Sequence, residues 1–109
     1  MLELSEKYVF HIPLYKVKDN KLVKISIDEI LDDLITRFGE GGFDSLYITD
    51  VESHYRSRRF DGLILTIFTS GRSPVDIFVE WFEANNHILE QAALAYEHND
   101  KMFIIDLEW

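Results

Sequence analysis

Apolar and polar positions repeat along this chain with two periods. Residues 7–17, KYVFHIPLYKV, alternate with a period of two and are rich in aromatic and branched side chains, which predicts a strand. Tyr8, Phe10, Ile12 and Leu14 fall on one face, and Val9, His11, Pro13 and Tyr15 on the other. Pro13 has no N–H to give to a ladder and suits the strand's end. The lysine-rich run KVKDNKLVK, residues 16–24, predicts a turn or short ribbon. The period then lengthens. Ile27, Ile30, Leu31, Leu34, Ile35 and Phe38 form one helical stripe, opened by a Ser26/Glu29 capping box and closed at Gly39. SLYITDVESHYRS (45–57) and GLILTIFTS (62–70) predict two more strands. A second helix begins with Ser73 as N-cap, Pro74 at its first position and Asp76 in its first turn. Its stripe runs through Phe78, Trp81, Phe82, Ile88, Leu89, Ala92 and Tyr96, and Asn85 and Asn86 weaken its middle. KMFIIDLEW, residues 101–109, predicts a last strand.

The order is therefore strand, helix, strand, strand, helix, strand. Two such halves normally build an α+β sandwich, a four-stranded antiparallel sheet with both helices on one face. This resembles the ferredoxin-like βαββαβ plan, whose spatial order is fourth, first, third, second strand. The expected domain is a single one over residues 1–109, since 109 residues suffice for one core and not for two. The resemblance is architectural, and such an architecture hosts many unrelated functions.

In the second strand Asp50, Glu52, His54, Arg56 and Arg58 share one parity. A three-residue loop at Phe60-Asp61-Gly62 pairs Arg58 with Ile64 and His54 with Phe68. That register keeps these charges off the face of Leu63, Leu65 and Ile67, and a one-residue slip would exchange the faces. The helix-free face then carries Val9, His11, Tyr15, Ile64, Thr66 and Phe68. His54, Arg56 and Arg58 flank it on one side, and Met102, Ile104, Asp106 and Glu108 on the other. So apolar a face predicts a cover, and the simplest is a second copy of the same face. A homodimer in which Arg56 and Arg58 meet a partner's Asp106 or Glu108 is the leading expectation. A heterologous protein or a small anionic ligand is the alternative occupant.

Charge narrows the field. The net charge is −9, and residues 54–60 alone carry +3, leaving −12 elsewhere. Such a field repels phosphate backbones, so nucleic acid is not an expected partner. There are no cysteines, which removes disulfides, thiolate metal sites and cysteine nucleophiles. No window approaches the roughly 20 apolar residues that a membrane span needs, and the acidic start is unlike a signal peptide, so the expected location is cytoplasmic.

Candidate chemistry is sparse. The four histidines show no metal-ligand spacing, and neither a metal nor a cofactor is expected. His11 and His54, with Thr66 and Asp106, are candidates for acid–base chemistry or ligand binding on the open face. Arg56, Arg58 and Phe68 complete the set of interface or ligand candidates. Ser70, Gly71 and Arg72 precede a helix N-terminus and are candidates for holding an anion, without the spacing of a phosphate-binding loop. The expected function is a small interaction or regulatory module, homodimeric through the open sheet. The alternative is a small cofactor-free enzyme whose cavity uses His11, His54 and Arg56 on an anionic or aromatic substrate.

Overall fold

The computed structural model of the protein describes residues 1–55 and 57–108, Tyr55 by its backbone alone. Arg56, expected at an interface, and Trp109, expected to end the last strand, lie outside the described residues. The elements are strands β1 (Glu6–Ile12), β2 (Tyr15–Lys18) and β3 (Lys21–Lys24), helix α1 (Asp28–Glu40), strands β4 (Leu46–Tyr55) and β5 (Arg58–Thr69), helix α2 (Val75–Leu89), and strands β6 (Ala93–His98) and β7 (Lys101–Asp106). Five of the strands form one antiparallel sheet in the order β4-β5-β1-β6-β7, and β2 and β3 form a separate ribbon.

Two tight turns explain the ribbon and the β6–β7 hairpin. Asp19-Asn20 and Asn99-Asp100 all take positive φ, between 47° and 69°. Asn and Asp tolerate that region, and two such residues in succession match the right-handed twist of a hairpin.

One face of the sheet is covered by both helices. The alternation of β1 sends Tyr8, Phe10 and Ile12 to that face, where their ladder partners Ile67, Leu65 and Leu63 also point. Phe10 is fully buried, its ring 5.5 Å from that of Phe38 in α1 and 4.5 Å from that of Phe78 in α2. Trp81 ties the helices together, its indole N–H donating to the Ile30 carbonyl at 2.7 Å. A buried indole N–H needs such an acceptor.

The structure corrects the sheet in two places. It has five strands, not four, and the place beside β1 belongs to Ala93–His98 rather than to the chain's last strand. The second helix stops at Leu89 instead of continuing through Ala92 and Tyr96. Asn86 is the cause. It is buried, its amide N–H donates to the Gln91 carbonyl at 3.0 Å, and its Oδ1 accepts from the Gln91 N–H at 2.9 Å. Glu90 completes the stop with φ of 50°. Such a residue satisfies helix-end groups that would otherwise be orphaned.

The second correction is the β4–β5 register. The hairpin's last pair is Tyr55–Arg58, with Ser57 at φ 62°, so Phe60-Asp61-Gly62 is strand and not loop. Ile48 opposes Leu65 and Leu46 opposes Ile67, which places the even-numbered residues of β4 on the helix side. The inner, buried half of the hairpin sets the register, while the outer half extends past the helices and charges there cost little. At the helix starts, α1 has Ile27 rather than Ser26 as its N-cap, without a side-chain cap bond, and it runs past Gly39 to Glu40. Ser73 Oγ does accept the Val75 N–H at 3.2 Å, just ahead of α2.

Candidate functional site

The sheet is split at one end. β1 leaves β6 after the pair Phe10–Tyr96 and leaves β5 after Ile12–Leu63. Pro13 follows, cannot donate, and the chain turns away into the ribbon. β5 nevertheless reaches back to Arg58 and β6 to Ala93, so both present a strand edge to the space that β1 vacates.

A cavity of about 570 Å³ occupies that space. Ile12, Leu63, Phe82 and Leu94 give it an apolar floor. His11 and Tyr15 reach it from the departing chain, Leu22 from the ribbon, Glu52, Ser53, Phe60 and Asp61 from the β4–β5 hairpin, and Glu97 from β6. A concave, mostly apolar hollow with a few converging polar groups is the usual form of a small-molecule site. An adjoining recess shares Tyr15, Glu52 and Asp61 and adds Asp50 and Lys24.

The polar groups are held in place. His11 Nε2 lies 2.7 Å from Glu97 Oε2, so its N–H donates to the carboxylate. In the neutral ring that bond selects the tautomer whose Nδ1 is the acceptor. Glu52 and Asp61 face each other directly across β4 and β5. Like charges so placed repel. Glu52 is steadied by His54 Nε2 at 2.9 Å and Arg59 Nε at 3.1 Å, and the Arg59 guanidinium also reaches toward Asp61 at 4.0 Å.

The ribbon's base is anchored beside the cavity. Lys16 donates to the Ile88 carbonyl at 3.0 Å and pairs with Glu90, and the Gln91 amide donates to the Tyr15 carbonyl at 3.1 Å. The hydrogen bond from Lys16 is the main reason why the Glu90 carboxyl titrates below the usual carboxylate range.

The residues singled out in sequence are dispersed. His11 lines the cavity. His54 sits with Glu52 and Arg59 on the helix side of the sheet, so the register separates it from His11 instead of pairing them across the open face. Thr66 is buried on the open face, and Phe68 lies beside it with its ring 6.4 Å from that of Tyr47. Arg58 is exposed at the hairpin tip, opposite Tyr55. Asp106 pairs with Ala93 at the far edge. Ser70 and Gly71 are exposed, and the Arg72 guanidinium donates to the Gly41 carbonyl at 2.6 Å while lying over the Phe43 ring. Sequence reasoning missed Glu52, Phe60, Asp61 and Glu97. The like-charged pair Glu52–Asp61 would have signalled a site only in the correct register. Among the described residues no group of three or more His, Asp or Glu side chains is placed to hold a metal ion, and no helix is long and apolar enough to cross a membrane.

The chain matches no family model and no curated protein in sequence. In fold it is similar to two solved structures of a phage SAM lyase. The apo state gives a TM-score of 0.55 at 16% identity, covering 100% of this chain and 97% of that one. The complex with S-methyl-5'-thioadenosine gives a TM-score of 0.53 at 14% identity, with the same coverage. At these identities the likeness is one of fold: a mixed α+β chain with two helices and an antiparallel sheet.

Proposed function

We propose that the protein is a small, cofactor-free enzyme acting on a cationic nucleoside of the S-adenosylmethionine type in the cavity at the split end of the sheet. The observation that carries this reading is the cavity's lining. Glu52, Asp61 and Glu97 line the cavity together with the apolar floor and the aromatic side chains Tyr15 and Phe60. Carboxylates and aromatic faces both attract a positive charge. An anionic substrate, the partner expected from the arginines, would meet this lining as repulsion. The fold shared with a SAM lyase supports the same class of chemistry. In the same reading β4, β5, β1 and β6 follow the ferredoxin-like plan, with β7 as an added edge strand.

The bond between the sulfonium sulfur and the methionine chain breaks with its electron pair passing to sulfur, which gives the neutral thioether S-methyl-5'-thioadenosine, while the substrate's own carboxylate bonds to the released carbon and closes a lactone. The nucleoside gives up its sulfonium charge in that step, so an acidic lining holds the substrate more tightly than the thioether product and favours its release. His11, fixed by Glu97, is the group placed to orient the departing fragment. The test compares S-adenosylmethionine with S-adenosylhomocysteine, the thioether that lacks the sulfonium charge, by calorimetry at low and moderate salt. Tighter binding of the cation, weakening with salt, supports the reading. Equal binding of the two, or binding of neither, overturns it.

A second reading concerns the open face. Tyr47, Met102 and Ile104 are 50%, 53% and 68% exposed on the side of the sheet away from the helices. That favours a homodimer formed through this face, with Arg58 near a partner's Asp106. Light scattering across a dilution series tests it: a mass of twice the chain supports it, and a monomer at every concentration overturns it.

A further inference from the structure

The β2–β3 ribbon carries a mostly apolar face, with Lys24 at its base, that is left largely exposed. Its register, Tyr15–Lys24 and Val17–Leu22, puts Tyr15, Val17 and Leu22 on one side. Tyr15 and Leu22 line the cavity, yet Leu22 is 46% exposed and Val17 68%. The anchors through Lys16, Glu90 and Gln91 hold only the base. Among the described residues no side-chain hydrogen bond or ion pair ties Val17–Val23 to the rest of the chain. Across the mouth, the β4–β5 hairpin offers Val51 and Phe60.

We infer that the ribbon is the missing wall of the site: it folds down from its anchored base so that Leu22 and Val17 close against the hairpin and clasp the flat face of a nucleoside's base. This inference rests on the proposed site and adds the part of the ligand that the ribbon reads. Two short strands joined by a tight turn move as one body about their base, and closure removes apolar surface from water on ribbon and ligand alike. The carboxylates and the ribbon then divide the ligand between them, the first holding its cation and the second its ring.

The chain has no cysteine, so a single introduced pair reports closure cleanly. In the variant L22C/S53C, mild oxidation is expected to form an intramolecular disulfide, and the locked protein is expected to stop exchanging S-methyl-5'-thioadenosine until a reductant is added. The neighbouring pair V17C/L22C, opposed within the ribbon, serves as the oxidation control. A disulfide in the control but not in L22C/S53C overturns the closure. Separately, Leu22→Asp is expected to weaken binding of S-methyl-5'-thioadenosine at least tenfold, and Leu22→Met to leave it nearly unchanged. Equal affinity in both variants overturns the ring-clasping role. If the wild-type protein takes up no nucleoside, the site reading has failed, whereas the disulfide result decides the ribbon's motion without any ligand.

Discussion

His11 on β1 donates to Glu97 on β6 over 2.7 Å, at the level where those two strands part. Val9 opposes Glu97 in the ladder, so His11 lies one step along the same face, where the ladder has already ended. The bond spans the opening of the split and delivers an oriented imidazole to the cavity. Removing it should therefore affect chemistry more than folding.

For His11→Ala and Glu97→Gln the account predicts a fall of at least tenfold in S-adenosylmethionine turnover. Both side chains are about one-third exposed, so the melting temperature should move by only a few degrees, as for a change of ~1 kcal/mol or less. Parallel turnover and thermal melts check this. A collapse of stability with proportionate loss of activity would make the pair structural.

The core predicts its own response. Phe10 is fully buried between Phe38 and Phe78. Phe10→Ala should cost about 3–5 kcal/mol through lost transfer energy and a residual cavity. Urea denaturation measures it, and a cost below ~1 kcal/mol would contradict the packing.

Asn86 predicts a different loss. Asn86→Ala leaves the Gln91 N–H and carbonyl without their partner at the end of α2, for a cost of about 1–3 kcal/mol. Gln91 also holds the Tyr15 carbonyl at the ribbon's base. The variant should therefore speed amide exchange in β2 and β3 beyond what global destabilisation explains, as hydrogen exchange would show.

Acid should loosen the end of the sheet opposite the cavity. Glu6 accepts from His98 Nε2 at 2.8 Å, and this bond chiefly lowers its carboxyl from the usual value, with Asn99 adding to the effect. A group whose folded pKa is depressed gives stability that is present above its unfolded pKa and lost as pH falls through the folded one. Stability should thus decline as pH drops below the usual carboxylate range, and Glu6→Gln should flatten that decline. An unchanged acid limb in the variant's denaturation profile would rule Glu6 out.

Much of the fold was legible in sequence because its signals are local. The alternation in β1 announced Tyr8, Phe10 and Ile12 as core, and the stripe through Leu34 and Phe38 announced α1. β6 was hidden because QAALAYEH is rich in alanine and continues the helical stripe, and only the place beside β1 makes it a strand. The buried side chain of Asn86, which ends α2, reads locally as a mere weakness within a helix. The hairpin register was misread because the conspicuous charges lie in the outer half, where nothing is buried. Leu46 and Ile48, less conspicuous, decide it. The site followed the register: His11 was found, while Glu52 and Asp61 became cross-strand partners, and Glu97 part of the same lining, only once strands distant in sequence were correctly paired.

The most direct measurement is incubation of the purified protein with S-adenosylmethionine, followed by chromatography for S-methyl-5'-thioadenosine. The account predicts that the thioether accumulates in proportion to protein and that Glu97→Gln slows its appearance at least tenfold. S-adenosylmethionine decaying no faster than in a protein-free control would contradict it.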